Sequence, residues 1–245
     1  MKIAVTGKGG SGKTVVAGTL ARALGRSGHR VLAIDADVNP MLGISLGLGP
    51  EANERLVAAR QALDAGELDH QPTAEGVVAA FGADAPDGVR LVVVNRIEHY
   101  GPGCPCCGLN PEGLVEDLDG AGRVIVCDLE AGLGTVSRLR PGQLDLVLVV
   151  AEPTAKSIEV ARRAARLAQS RGRVLVLANR IRDAADLEDV RAALPEHEVL
   201  PIPEDEVITR ADREGVAPID LDPAAPGVEC LKAVASHLVS KPVGI

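Results

Sequence analysis

Short apolar runs alternate along this chain with longer stretches that are compatible with helices. Runs of a few consecutive apolar residues are typical of strands that are buried on both faces of a sheet. Strands and helices that alternate in this way predict a mostly parallel sheet with helices on both of its faces. Because α/β domains often exceed about 200 residues, we predict a single doubly wound α/β domain over residues 1–245.

Seven strands and seven helices are predicted from these patterns. The predicted strands are 2–6, 30–35, 89–95, 123–128, 144–151, 173–179 and 198–202. The predicted helices are 13–27, 53–65, 112–118, 155–170, 184–193, 204–214 and 227–239. The segment 64–87 is the least regular stretch and is rich in glycine, proline and acidic residues, which predicts an irregular surface excursion.

A phosphate-binding loop is predicted between the first strand and the first helix. Residues 7–14 match the motif G-x-x-x-x-G-K-[ST] at every position. Glycine allows several backbone N–H groups to approach phosphate oxygens, and the helix N-terminus adds partial positive charge. Lys13 is expected to reach the β- and γ-phosphates, and Thr14 to bind Mg²⁺. The predicted nucleotide-binding residues of this region are Gly9, Gly10, Ser11, Gly12, Lys13, Thr14 and Thr19.

Two predicted strands end in aspartate, and we expect these carboxylates in the ligand crevice at the carboxyl ends of the strands. Asp35 and Asp37 close the second strand. We expect only one of these two carboxylates to face the γ-phosphate directly. Asp128 ends the apolar run 124–128 in the Walker B pattern, which predicts that it holds a Mg²⁺-bound water.

Composition narrows the classes of protein that fit. The chain has no tryptophan, one tyrosine and one phenylalanine, so its core must be aliphatic. A formal net charge of −8 argues against a global nucleic-acid or anionic-membrane surface. The longest apolar run, near 144–151, is far shorter than the ~20 residues that span a membrane. No signal peptide is expected, because the chain starts with a strand, and we expect a cytoplasmic protein.

Three of the five cysteines lie in a loop rich in glycine and proline, at Cys104, Cys106 and Cys107. Cys104 and Cys106 can chelate one ion, but two thiolates do not complete a tetrahedral site. A homodimer would supply the other two ligands around its two-fold axis. Cys107 is a spare or alternative ligand, and thiolates favour Zn²⁺, Ni²⁺ or Cu⁺ without choosing among them. Cys127 and Cys230 are expected to be small buried hydrophobic residues.

A second lysine, Lys8, gives the loop the pattern Lys-Gly-Gly-x-Gly-Lys-Thr, which resembles the deviant P-loop of the MinD/ParA/nitrogenase-iron-protein superfamily. The resemblance implies an ATP-sandwiched homodimer in which Lys8 reaches the partner's nucleotide. It also implies that Asp37 orients the attacking water and that Asp35 helps to hold Mg²⁺ through water. Lys8, Lys13 and Asp37 are therefore the predicted catalytic residues.

The same resemblance implies roles for residues later in the chain. Residues 129–134 look like a second switch loop, in which the Gly132 N–H would contact the γ-phosphate. Asn179 at the end of a strand would read the edge of adenine, next to Arg180. The Pro-Ile-Pro-Glu-Asp segment 201–205 resembles the loop that closes over adenine.

Three segments narrow the resemblance, namely Val94-Asn95-Arg96-Ile97-Glu98, Gly103-Cys104-Pro105-Cys106 and Cys127-Asp128-Leu129-Glu130-Ala131-Gly132. They are similar to the nickel-insertion accessory ATPases of carbon monoxide dehydrogenase, the CooC-type proteins. This implies nickel, or zinc, held by the Cys-x-Cys pair at a dimer interface and delivered to a client metalloenzyme. The chain departs from the family at Gly134-Thr135, where Glu-His is usual, at Asp37-Val38-Asn39, where Asp-Pro-Asn is usual, and in its extra Cys107.

Other classes of ATPase are weighed against this one. An electron-transfer ATPase needs a cysteine after Walker B, and residues 133–140 contain none. A membrane-associated positioning ATPase should end in a basic amphipathic helix, but 227–239 carries only Lys232. A DNA-binding positioning ATPase needs a basic face. The sole candidate for such a face is a cluster of arginines that we predict to be a solvated helix surface. The cluster consists of Arg162, Arg163, Arg166, Arg171 and Arg173. A positioning or regulatory switch without metal delivery remains the alternative.

Overall fold

The computed structural model describes residues 1–64, 69–94 and 111–240. Within them, one sheet has the strand order β3-β4-β2-β5-β1-β6-β7-β8. All neighbouring strands are parallel except β3, which is antiparallel to β4. The strands are β1 (Lys2–Gly7), β2 (Val31–Ala36), β3 (Ala83–Ala85), β4 (Val89–Val93), β5 (Val124–Leu129), β6 (Leu146–Ala151), β7 (Arg173–Ile181) and β8 (Glu198–Pro203). The mostly parallel sheet is confirmed.

Helices connect these strands and cover both faces of the sheet. They are α1 (Lys13–Arg26), α2 (Leu42–Ser45), α3 (Pro50–Asp64), α4 (Ala74–Phe81), α5 (Pro111–Asp117), α6 (Gly134–Arg138), α7 (Ala155–Ala168), α8 (Ala184–Ala193), α9 (Glu206–Glu214), α10 (Pro218–Leu221) and α11 (Pro226–Ser240), and a 3-10 turn covers Pro86–Gly88. Every predicted helix and strand is present, and its ends differ from the prediction by at most three residues.

The prediction of an irregular excursion over 64–87 is wrong for much of that segment. Its described part contains helix α4 and strand β3. The Thr73 side chain caps α4 by accepting the N–H of Gly76, and Val77 and Val78 bury their side chains in the core. The glycine, proline and acidic residues that flank this short apolar helix obscured it in the composition of the whole segment.

The core has two layers, one on each side of the sheet, as a doubly wound fold requires. In β1, Ala4 belongs to one layer, whereas Ile3 and Val5 belong to the other. Helices α4 to α8 cover the first face, and α1, α2 and α11 cover the second. The core is aliphatic, as predicted, and Cys127 is fully buried in it, but Cys230 on α11 is only half-buried. Among the described residues, no helix has the length and apolar character needed to span a membrane.

Candidate nucleotide-binding site

The phosphate loop lies between β1 and α1, at the carboxyl edge of the parallel sheet. At two of its positions, Gly7 and Gly12, glycine is required because other backbone or side-chain atoms approach closely. Gly12 has a φ of 92°, and a Cβ there would lie 2.5 Å from the side-chain nitrogen of Asn179. A Cβ on Gly7 would lie 2.4 Å from the carbonyl oxygen of Val150 on β6. The sheet and the end of β7 therefore leave room for glycine alone at these two positions.

Asn179 and Arg180, at the end of β7, hold the phosphate loop from one side. The Asn179 Nδ2 donates a hydrogen bond of 2.8 Å to the carbonyl oxygen of Ser11. Arg180 has a left-handed backbone with a φ of 60°, and its Nη1 donates to the carbonyl oxygen of Gly10 at 3.3 Å. The same guanidinium forms an ion pair with Glu152, which directly follows β6 and which the sequence analysis missed. Both predicted residues therefore contact the loop.

Asp128 lies at the end of β5, and its carboxylate is fully buried. Within the described part of the chain, neither of its oxygens has a hydrogen-bond partner of normal geometry. Burial raises the pKa of Asp128 to about 7, opposed by the nearby Thr14 hydroxyl and Lys13 ammonium and reinforced by the charge of Asp37. A buried carboxylate without partners, beside the Thr14 hydroxyl, has the donor set that suits Mg²⁺.

Asp35 is also fully buried, and it is the register partner of Asp128 on the neighbouring strand. Its oxygens are used differently. Oδ1 accepts the N–H of Asp37 at 3.2 Å, and Oδ2 accepts the N–H of Leu42 at 2.8 Å. Burial raises the pKa of Asp35, and the neighbouring charge of Asp128 raises it further. Asp37 is half-buried in the loop after β2, where its Oδ1 accepts the N–H of Asn39 at 3.0 Å.

The loop after β5 contacts the phosphate loop through the backbone. The Gly132 N–H donates to the carbonyl oxygen of Gly7 at 3.0 Å, and the Thr6 hydroxyl donates to the carbonyl oxygen of Gly132 at 3.2 Å. Gly132 therefore lies next to the phosphate loop, and its N–H is hydrogen-bonded within the protein.

Lys8 is half-buried, and among the described residues its ammonium contacts only the carbonyl oxygen of Gly9, at 3.3 Å.

A cavity of about 270 Å³ extends from the phosphate loop towards α9. Its lining includes Gly10, Gly12, Lys13, Thr14, Asn179, Arg180 and the segment 203–205 from the predicted adenine loop. Six further lining residues were missed, namely Val15 and Val16 on α1, Ile208, Thr209 and Asp212 on α9, and Leu231 on α11. The spacing of 208, 209 and 212 on one helix face could have revealed the three residues of α9. Thr19 does not line this cavity: it is fully buried in α1, and its hydroxyl has no described hydrogen-bond partner.

Asp205 is a structural residue of this cavity wall. One oxygen accepts the N–H of Val207 and caps the start of α9, and the other accepts the N–H of Gly227 at 2.7 Å, which joins α9 to α11.

The cysteines of the predicted metal site, Cys104, Cys106 and Cys107, lie outside the described residues. Residues 1–64, 69–94 and 111–240 contain no group of three or more histidine, cysteine, aspartate or glutamate side chains placed to hold a metal ion.

Comparison with known proteins agrees with this geometry. A family model described as the CobQ/CobB/MinD/ParA nucleotide binding domain matches residues 2–219. The chain is 32% identical to the carbon monoxide dehydrogenase accessory protein CooC of Rhodospirillum rubrum, in an alignment that covers 91% of each chain. It is also 32% identical to an uncharacterised ATP-binding protein of Methanocaldococcus jannaschii, over 92% of this chain and 93% of that protein.

Solved structures show the same fold at lower identity. The septum site-determining protein MinD of Pyrococcus horikoshii, in complex with Mg-ADP, superposes with a TM-score of 0.72 and 19% sequence identity. The match covers 99% of this chain and 98% of the MinD chain. The MinD cell division protein of Aquifex aeolicus has a TM-score of 0.70 and 24% identity, with coverages of 100% and 98%. Together with the family match and the identity to CooC, this shows that the chain is an ATPase that belongs to the CobQ/CobB/MinD/ParA nucleotide-binding family and is similar to the CooC-type accessory proteins.

Proposed function

We propose that this ATPase is a metallochaperone that binds a metal ion, nickel in the first instance, and delivers it to a client metalloenzyme such as carbon monoxide dehydrogenase. One observation carries the proposal: the chain is 32% identical over 91% of its length to a protein named as an accessory protein of that enzyme. The Cys-x-Cys pair, Cys104 and Cys106, gives the chain soft ligands for such an ion. Cys107 is an additional candidate ligand.

The phosphate loop would bind the triphosphate of ATP through its backbone N–H groups and through the ammonium of Lys13, which is only 5% exposed. Asp128 and Thr14 are the residues proposed to hold Mg²⁺, since the Asp128 oxygens are buried and accept no hydrogen bond of normal geometry from the described residues. When bound, Mg²⁺ would neutralise charge on the β- and γ-phosphates. We propose Thr19 only as a support of α1, because it lies away from the cavity.

Asn179 is proposed to select adenine. Its Nδ2 donates to the Ser11 carbonyl, so its amide oxygen is the group left to meet a base. That oxygen can accept from the N6 amino group of adenine, whereas guanine presents an acceptor at the matching position. The segment 203–205 and Arg180 would enclose the nucleoside from the other side of the cavity.

Hydrolysis is proposed to require two chains. Asp37 would orient a water molecule that attacks the γ-phosphorus, and the bond to the β–γ bridging oxygen breaks to give ADP and phosphate. Lys8 would stabilise the charge that develops on the partner's nucleotide. This role is supported by the freedom of its ammonium, which among the described residues contacts one carbonyl and no carboxylate. The Gly132 N–H would change its acceptor from Gly7 to the γ-phosphate.

Both Lys8 and the cysteine pair need a second chain, so we propose that nucleotide and metal share one homodimer interface. Two thiolates from each chain would complete a tetrahedral set of four ligands. Loss of the γ-phosphate would free the loops that contain Asp37 and Gly132, loosen the interface and break the shared site. The metal ion would then transfer to the client enzyme.

Native mass spectrometry of the full chain tests this proposal. With Ni²⁺ or Zn²⁺ added, we expect one ion per two chains, lost in the Cys104→Ala/Cys106→Ala double variant and retained in Cys230→Ala, a matched loss of a thiol on α11. ATP should raise the dimer fraction in all three proteins. ATP-driven dimers that carry no metal would instead favour a positioning or regulatory switch. Metal retained by the double variant would show that Cys104 and Cys106 do not hold it.

A further inference from the structure

Asp35 and Asp128 occupy equivalent positions on neighbouring strands but have different surroundings. They are register partners on β2 and β5, and each is fully buried. Both oxygens of Asp35 accept backbone N–H groups, whereas neither oxygen of Asp128 accepts a described hydrogen bond of normal geometry and only the Thr14 hydroxyl is near enough to lower its pKa by hydrogen bonding. A buried carboxylate that is already satisfied by two N–H groups has less capacity to serve another ligand than one that has none.

The strand order separates Asp35 from the phosphate loop. Strand β5, which carries Asp128, lies between β2 and β1. Neighbouring strands are about 4.8 Å apart, so β2 lies roughly 10 Å from the strand that leads into the loop. Burial and the charge of Asp37 raise the pKa of both carboxyls. Thr14 and Lys13 lower the pKa of Asp128, whereas the N–H groups of Leu42 and Asp37 lower the pKa of Asp35.

The two N–H groups that Asp35 binds lie at the two ends of the loop that contains Asp37. The first belongs to Asp37 itself, and the second belongs to Leu42, the first residue of α2. Helix α2 has no side-chain cap at its own N-cap residue, so Asp35 supplies the acceptor that its first turn lacks. Within the loop, the Pro40 carbonyl accepts the Asn53 side-chain amide at 2.8 Å.

We infer that Asp35 is a positioning residue, and not a magnesium ligand: its carboxylate fixes both ends of the loop 37–42 and thereby sets the place of Asp37. This division of labour rests on the proposed role of Asp37 in orienting water. Asp128 binds the cation, Asp35 fixes the loop through its two hydrogen bonds, and Asp37 orients the attacking water. The family resemblance implied instead that Asp35 helps to hold Mg²⁺ through water, and the two N–H groups that occupy its carboxylate are not visible in the sequence.

The test compares Asp35→Asn with Asp128→Asn and with a matched control, Asp119→Asn. Asp119 also accepts the N–H of the residue two positions on, but it is exposed and lies far along the chain. In Asp35→Asn we expect kcat for ATP to fall about 10- to 100-fold with KM unchanged, because a small displacement of a catalytic group has this effect. The Mg²⁺ concentration that half-saturates nucleotide binding should stay at the wild-type value. In Asp128→Asn it should rise.

Amide hydrogen exchange measures the order of the loop 37–42 independently of ATP hydrolysis. In wild-type protein free of nucleotide and magnesium, the N–H groups of Asp37 and Leu42 should be protected, and this protection should fall in Asp35→Asn and persist in Asp119→Asn. Unprotected amides in the wild type would overturn the inference even if the variant fails to fold. A raised Mg²⁺ requirement in Asp35→Asn with unchanged exchange would also overturn it. Neither result depends on metal delivery, so failure of the proposed function would be recognised separately.

Discussion

Asn179 donates a hydrogen bond of 2.8 Å from its side-chain nitrogen to the carbonyl oxygen of Ser11. This bond joins the end of β7 to the phosphate loop, two segments separated by more than half of the chain. It also fixes the orientation of the amide, because a carbonyl oxygen can be met only by the nitrogen. Asn179 thus couples the geometry of the phosphate loop to the face that a base would meet.

Replacement of Asn179 should weaken both nucleotide binding and base selectivity. In Asn179→Ala the loop loses one buried hydrogen bond, and we expect the Kd for ATP to rise about 10-fold, equivalent to roughly 1.4 kcal/mol. The preference for ATP over GTP should fall because the acceptor for N6 is lost. Fluorescent-nucleotide titration measures both. An unchanged ratio of ATP to GTP affinity would show that Asn179 supports the loop without reading the base.

Alanine at Gly12 should abolish ATP binding, because the new Cβ would lie 2.5 Å from Asn179 Nδ2 and the residue keeps a φ of 92°. Gly28→Ala is the matched control, since Gly28 has a φ of 87° with no atom within 4 Å of the added carbon. Both variants should lose about 1–2 kcal/mol of stability from left-handed backbone strain. Calorimetric titration should find ATP binding in Gly28→Ala alone, and equal affinities would contradict the steric argument.

Replacing each of the two lysines of the phosphate loop should impair a different step of the ATPase cycle. Lys13→Ala should lose ATP binding, because this buried ammonium lines the cavity. Lys8→Ala should bind ATP normally but hydrolyse it about 100- to 1,000-fold more slowly, the usual effect of removing a group that stabilises transition-state charge. Sedimentation of the ATP complex should show monomers for Lys8→Ala. Wild-type turnover in Lys8→Ala would exclude a role across the dimer.

A buried ion-pair network should give folding stability a distinct pH dependence. Arg22 on α1 is 2% exposed, and it binds Asp87 and Asp220 while donating to the Leu46 carbonyl at 2.8 Å. Partial burial alone would raise the pKa of Asp87, but hydrogen bonds and charges from Arg22 and Arg26 outweigh it and lower the pKa. This stabilisation is complete above about pH 5 and is lost as pH falls through the lowered pKa.

Asp87→Asn should therefore lose about 1.5–3 kcal/mol of unfolding free energy at pH 7, the usual contribution of a charge-assisted hydrogen bond. The difference between variant and wild type should shrink as the pH falls below 4. Urea unfolding at a series of pH values measures it. Asp84→Asn is the control, because its carboxylate is 86% exposed and pairs with Arg90 at the surface. Equal losses at pH 3 and pH 7 would show that the Asp87 charge is not the cause.

The fold and the phosphate loop could be predicted from sequence because their signals are local. The apolar runs define the strands, and the motif over 7–14 specifies its own conformation. Contacts between distant segments could not be predicted in this way. The ion pair of Glu152 with Arg180 and the hydrogen bond of Asn179 to Ser11 depend on which strand ends the sheet brings together. The same holds for α9, whose residues line the cavity together with segment 203–205.

The central claim, that ATP hydrolysis releases the bound metal, is tested most directly by metal transfer to a coloured chelator from the loaded dimer. With ATP, the rate of transfer should match the rate of phosphate release. It should be suppressed with a non-hydrolysable ATP analogue and in Asp37→Asn. Cys230→Ala should behave as wild type. Equal rates of transfer with ATP, with the analogue and without nucleotide would contradict the account, because metal release would then be independent of hydrolysis.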